Sequence, residues 1–375
     1  MAIINVRSPK YVSIDDSSLS YAILRLSIWT GASSPSPAPI YIIRKSGVQI
    51  VFFEISELIR DYLDTTFDGD YSGQAVWVTT TLFAYDSNDN EVADDGESFV
   101  AFDGYNYFEE SANVDNSLMI TNRKLFVLED NTFRVPIYTA TSPTVTFLKD
   151  NEIVGTTSFT PSNQSSEQIK YVSIYGSDTN WDSFKERVLE DGGTDYESNK
   201  CLEAYFNDYS IGAVDKIIVS DSDGIQTINV SILEECKYEP KKVTFVNKYG
   251  ALQDMYFFKK AVEKMNVTKE SYKSNILDSN YVYNSSNHVY RDFNVVGKES
   301  ITLSSGFLSE EYNEVFKQMM LSEKVWITNI TEDGEQVLPI NVKTSNITYK
   351  TSLNDKLVEY TFDFDNSFNV INDIR

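Results

Sequence analysis

Residues 358–365 read VEYTFDFD, and no other stretch restricts the fold as tightly. Val358, Tyr360, Phe362 and Phe364 alternate with Glu359, Thr361, Asp363 and Asp365. A period of two places the apolar side chains on one face of a strand and the polar ones on the other. Such a strand belongs in a sheet covered on its apolar side. The cover is predicted upstream. Leu308, Tyr312, Val315, Phe316, Met319 and Met320 recur at steps of three and four, which is one face of a helix. Ser309 is its expected cap, Glu310 and Glu311 suit the positive end of its dipole, and Gly306 permits a sharp entry from a strand over 300–303.

Between helix and last strand the period is again two. Val325 and Ile327 oppose Trp326 and Thr328; Ile340 and Val342 oppose Asn341 and Lys343; Ile347 and Tyr349 oppose Thr348 and Lys350. Turns fall at 332–334 and 353–355. This predicts a twisted antiparallel sheet with one apolar face and a helix lying on it.

At 375 residues the chain is long enough for two or three domains, and its 24 Tyr and 22 Phe support real cores and favour strands. Residues 1–111 predict a β-sandwich-like domain, with strands over 21–29, 40–44, 75–85 and 99–107 and one running up to Phe53. A short helix in it is marked by Ile55, Leu58, Ile59 and Tyr62, and an acidic hairpin tip covers 86–97. Residues 112–240 predict a second β domain. It has hairpins of 125–128 with 133–138, 144–148 with 153–159 and 216–220 with 227–233, a strand over 171–175, and a helical insertion near 181–190. Residues 241–375 are the C-terminal sheet-plus-helix domain. There 252–258 fits helix or strand, and Gly250, placed where a tight turn needs it, favours a hairpin. Residues 276–290, rich in Asn, Ser and Tyr, read as a loop. The fold class is mainly β and multidomain: antiparallel β-sandwich units followed by a C-terminal α+β domain.

The net charge of −24 repels nucleic acid and anionic membranes. No apolar run is long enough to span a membrane, and MAIINVRSPK lacks the regions of a secretion signal, so the expected setting is a cytoplasm. Cys201 and Cys236 cannot make a disulfide framework and read as buried free thiols. The six Asn-x-Ser/Thr matches follow from an Asn- and Ser-rich composition.

Chemistry is sparse. The single histidine, His288, excludes a His-rich zinc site and would have to serve any Ser-His-Asp arrangement. GxxxxGK[ST], GxGxxG and GxSxG are all missing. Asp86, Asn88 and Asn90 have the spacing of early calcium-loop ligands, but Glu91 stands where such a loop needs Gly; a solvated hairpin is expected. The densest basic run, 237–242, is too short for a nucleic-acid interface. The chain predicts no catalytic, cofactor-binding or metal-ligating residue, and no enzyme.

Two stretches carry a resemblance. One is FDGYNYFEE at 102–110. The other runs VTFVNKYGALQDMYFFKKA at 243–261, LSSGFLSEEYNEVFKQMMLSEKVWI at 303–327 and LPINVKTSNITYKTSLNDKLVEYTFDFDNSFNVIN at 338–372. Together they resemble virion structural proteins of tailed phages infecting Bacteroidetes-like hosts, crAss-like phages included. The resemblance implies a structural phage-tail component at ring, collar, hub or baseplate level. It implies a homo-oligomeric ring in contact with other virion proteins, placed in the virion tail after assembly in the host cytoplasm, with no membrane span. The C-terminal domain is similar in outline to the tail-tube and tail-hub building block, and an acidic lumen would let DNA pass without specific binding. Contacts are expected through sheet edges and through segments such as 276–298. The alternative is a host-surface glycan-binding module with Trp29, Trp77, Trp181 and Trp326 as stacking candidates. A carboxylate-pair enzyme acting on polysaccharide or cell wall is a third reading.

Overall fold

The structure is a computed structural model that describes residues 2–30, 34, 36, 40–71, 75–110, 118–128, 132–139, 142–159, 169–175, 209–211, 214–222, 224–233, 237–275, 277, 282, 284–331, 334–349 and 357–371. It is mainly β, with several antiparallel sheets.

Strands β1 (Ala2–Asn5), β3 (Tyr21–Trp29), β4 (Tyr41–Ser46), β6 (Val76–Tyr85) and β7 (Glu91–Phe102) form a sheet in the order β1-β7-β6-β3-β4. β2 (Tyr11–Asp15) and β5 (Ile50–Glu54) pair as a separate ribbon. Val12, Ile14, Val51 and Phe53 of the ribbon share a core with Leu24, Leu26 and Val78 of the sheet, so the two layers pack face to face. Helix α1 (Ser56–Arg60) buries Ile59 beside them. The acidic tip is shorter than expected, because pairing resumes at Glu91 opposite Tyr85. The Asp86 carboxylate accepts the N–H groups of Asn88 and Asn90 at 2.7 and 2.9 Å and the Asn90 amide at 3.0 Å, which closes the turn early.

A second sheet has the order β11-β10-β14-β15-β8, from β8 (Lys124–Leu128), β10 (Thr144–Lys149), β11 (Glu152–Ser158), β14 (Lys216–Asp221) and β15 (Gly224–Leu233). A third joins β9 (Thr132–Tyr138), β12 (Ile169–Tyr175) and β13 (Tyr209–Ile211) in the order β13-β12-β9. Val127, Phe147 and Val219 of one sheet meet Val135, Val172 and Ile174 of the other in a common core. The expected hairpin of 125–128 with 133–138 is not formed. β8 pairs in parallel with β15, and β9 antiparallel with β12, so the two strands lie in different sheets. Alternate burial toward a shared core is the same pattern for strands of one sheet and of two facing sheets, so periodicity does not separate them. The helix expected near 181–190, Trp181, Cys201 and Cys236 lie outside the described residues.

The largest sheet has the order β17-β16-β21-β22-β24-β19-β18. Its strands are β16 (Lys241–Val246), β17 (Leu252–Phe257), β18 (Val262–Lys273), β19 (Tyr290–Ser304), β21 (Val325–Thr331), β22 (Gly334–Val342) and β24 (Thr361–Asn366). Helix α2 (Tyr312–Leu321) buries Tyr312, Val315, Phe316, Gln318 and Met319. Phe316 meets Tyr360, just before the last strand, and Phe362 within it at ring distances of 5.0 and 5.1 Å.

Four expectations change here. Ser309 is not the helix cap: β20 (Leu308–Ser309) pairs with β23 (Leu357–Val358), and α2 starts after Glu311 without a side-chain cap. The Glu311 carboxylate instead accepts the Arg123 N–H at 3.1 Å. The sheet is not apolar on one face alone, since Val325, Trp326, Ile327 and Thr328 are all buried. No strand covers 347–349; the N–H groups of Lys343 and Thr344 turn to the Asp363 carbonyl instead. Finally, β18 is a full strand that no periodicity announced.

A further apolar cluster joins the sheets. It gathers Ile3, Trp77 and Phe102, then Met119, Tyr138 and Tyr171, then Val246, Leu252 and Trp326.

Candidate assembly surface

The two stretches that carry the resemblance meet in space. FDGYNYFEE lies against the turn after β16 and against α2. Tyr105 N–H donates to the Lys248 carbonyl at 2.8 Å, and Lys248 Nζ donates to Glu110 Oε1 at 2.7 Å. The Tyr107 hydroxyl donates to Glu314 Oε1 at 2.6 Å, and burial, together with that carboxylate, pushes the phenol well above its ordinary value. Fully buried Asn247 fixes the turn. Its Oδ1 accepts the N–H groups of Tyr249 and Ala251, and its amide reaches the Met119 carbonyl at 2.7 Å. Gly250 completes the turn at φ +80°. This joint ties 102–110 to the largest sheet and to its helix.

From the far end of that sheet a two-stranded arm projects. β18 and β19 pair from Val262↔Thr302 to Lys273↔Tyr290, but β24 backs only Ser300–Ser304 of β19. All twelve residues of β18 are exposed, as are residues 290–295 of β19. Met265, Val267, Tyr272, Tyr290 and Phe293 are 41% to 66% exposed, which makes the arm an apolar surface facing water. The outer edge of β18 has no strand partner among the described residues. The other edge is partly capped, because Val370 N–H donates to the Gly297 carbonyl at 2.9 Å. A groove of about 380 Å³ opens at the root of the arm, with Ile301, Ile327 and Leu338 in its lining and Glu263, Lys264 and Asn366 beside them.

The remaining candidates do not converge. His288 is exposed near the tip of the arm, where its carbonyl accepts the Ser274 hydroxyl at 3.0 Å. A crevice of about 770 Å³ holds Arg60, Asp61, Asp64, Asp103, Glu323 and Lys324. Part of its charge is paired: Arg60, with Arg7 nearby, to Glu323, and Lys324 to Asp64. Burial holds the Asp103 carboxyl above its ordinary value, against the pull of Arg7 and Lys324. Among the described residues no three His, Cys, Asp or Glu side chains are placed to hold a metal ion. Trp77 and Trp326 are buried and Trp29 is half-buried, so none of the three offers an open face for sugar stacking. Among the described residues no helix is long and apolar enough to cross a membrane.

Sequence reasoning placed 276–298 at a contact surface but missed β18 altogether. Neither the protein-family models nor the curated proteins compared with this chain match it.

Proposed function

We propose that this chain is a structural protein of a phage tail, acting at ring, collar, hub or baseplate level by association of its own copies and contact with other virion proteins. The observation that carries the reading is the arm. A long two-stranded projection leaves all of β18 and residues 290–295 of β19 exposed, with apolar side chains facing water and an open edge among the described residues. Such a surface gains its free energy by joining a neighbour. The joint between 102–110 and the turn at 247–250 supports the reading as well, since it ties the stretches behind the resemblance into one body from which the arm extends. In this reading the acidic balance of the chain faces a passage for DNA and keeps the polyanion from sticking.

Native mass by light scattering, with negative-stain images of the same sample, tests this. Closed rings of several copies are the expected result. A protein that stays monomeric at every concentration and ignores virion partners would end the reading and favour the glycan-binding alternative.

A further inference from the structure

We infer that the open edge of β18 docks on the acidic free edge of β7 in a second copy of the chain, extending one sheet into the next. This rests on the assembly reading above and names its docking address.

Two open edges meet the requirement. β18 carries one. The other belongs to β7, where β1 pairs only with Phe99–Phe102, leaving Glu91–Ser98 without a partner on that side among the described residues. Those eight residues are exposed or half-exposed.

Charge distinguishes this pair. The chain as a whole is strongly acidic, with 56 Asp and Glu against 32 Lys and Arg, so copies repel one another at long range. Residues 259–298 run the other way, with six Lys and one Arg against four carboxylates. Lys264, Lys269 and Lys273 lie along β18 itself. Lys269 pairs with Asp292 at 2.6 Å, while Lys264 and Lys273 make no ion pair among the described residues. Opposite them, residues 86–97 hold six carboxylates and no Lys or Arg. Asp94, Asp95 and Glu97 are exposed, and by alternation they supply both faces of the free edge.

Lysines and a bulge on an edge strand usually keep other strands away. β18 has both, with its register shifting between Thr268 and Glu270. Lysines repel another lysine-bearing edge and so block arm-to-arm pairing. They admit an acidic edge, where opposite charges on neighbouring strands attract. Other open edges fit less well: β4 carries Arg44 and Lys45, and β17 is buried along its length.

Charge reversal with rescue in the full chain tests the address. One variant is Lys264→Glu/Lys269→Glu/Lys273→Glu; the other is Asp94→Lys/Asp95→Lys/Glu97→Lys. Each alone should associate at least about tenfold more weakly than the wild type, and an equimolar mixture should recover assembly. If either variant assembles normally alone, or the mixture stays apart, the address is wrong, while a wild type that still forms rings leaves the assembly reading standing. A wild type that never associates overturns both. Carbodiimide crosslinking of mixed isotope-labelled and unlabelled wild type guards against misfolded variants. Links between copies should join Lys264, Lys269 or Lys273 to Asp94, Asp95 or Glu97; links to other carboxylates alone overturn the inference.

Discussion

Gly104 packs so closely on Lys248 that a β-carbon there would stand 2.6 Å from the Lys248 carbonyl oxygen. The approach is reciprocal, since a β-carbon on Gly250 would stand 2.8 Å from Phe102 Cβ and 2.9 Å from the Asp103 nitrogen. Both obstacles are backbone or its first side-chain atom, so they cannot swing away. Gly104→Ala and Gly250→Ala should each cost about 1–3 kcal/mol by overpacking. Gly250→Ala carries an added backbone cost from φ +80°. Urea unfolding midpoints check this, and a Gly104→Ala protein as stable as the wild type would show that the joint yields.

The same joint holds Tyr107 between charges. Its hydroxyl donates to Glu314, and Lys317 lies 3.6 Å from the centre of its ring. Tyr107→Phe removes the bond to a charged acceptor and keeps the ring beneath the ammonium. It should cost about 1–2 kcal/mol. Tyr107→Ala removes both contacts and should cost visibly more, by the same unfolding measurement. Equal losses for the two variants would mean that the hydroxyl alone matters.

What could be read from the sequence was what obeyed a period. β3 was legible because Ala22, Leu24, Leu26 and Ile28 alternate, and all four are buried. α2 was legible from its apolar stripe, though buried Gln318 was missed because a polar residue breaks the pattern. Its amide bonds Thr121 and Glu314, partners that no local rule reveals. β18 left no signal because every residue in it faces water, so nothing selects its side chains by face. The exposed arm was therefore the least legible part. Contacts through 276–298 were an expectation drawn from resemblance rather than pattern, and β18 beside that segment was not anticipated. The placing of β8 and β9 in different sheets shows a second limit, since burial fixes which side chains point inward and leaves strand partners open.

Asp103 gives a pH test with a clear sign. Burial raises its folded-state pKa above the ordinary carboxylate value. Its contribution is thus fully favourable below the unfolded value of about 4 and is lost as pH rises through the folded value. At pH 7 the ionised carboxylate sits half-buried at a cost. Asp103→Asn should therefore melt at a higher temperature than the wild type at pH 7, and at the same temperature near pH 3. A variant less stable at pH 7 would show that Arg7 and Lys324 outweigh the burial.

Tyr71 offers the complementary test at high pH. Its hydroxyl donates to Asp254 Oδ1, which also accepts the Thr244 hydroxyl at 2.8 Å, and the Arg134 guanidinium lies 4.1 Å from the centre of its ring. The contact ties the first stretch of the chain to the second and the last. Burial pushes the Tyr71 phenol well above its ordinary value, and Asp254 adds to the shift. Burial likewise raises Tyr256 and Tyr312, and it takes Tyr105 to about 12. In the unfolded chain these phenols ionise near pH 10. Their stabilising effect is therefore complete below about pH 10 and drains away as pH climbs toward the folded-state values. Urea midpoints should be flat from neutral pH to about pH 9 and fall steeply above pH 10. Tyr71→Phe should be weaker by about 1–3 kcal/mol at pH 7, because buried Asp254 loses a donor. Above pH 10 its decline should be shallower by one proton, since one ionising group is gone. A Tyr71→Phe curve parallel to the wild type at high pH would show that Tyr71 ionises no differently in the folded and unfolded chains, and would place the alkaline sensitivity on the other raised phenols, Tyr105, Tyr107, Tyr256 and Tyr312 among them.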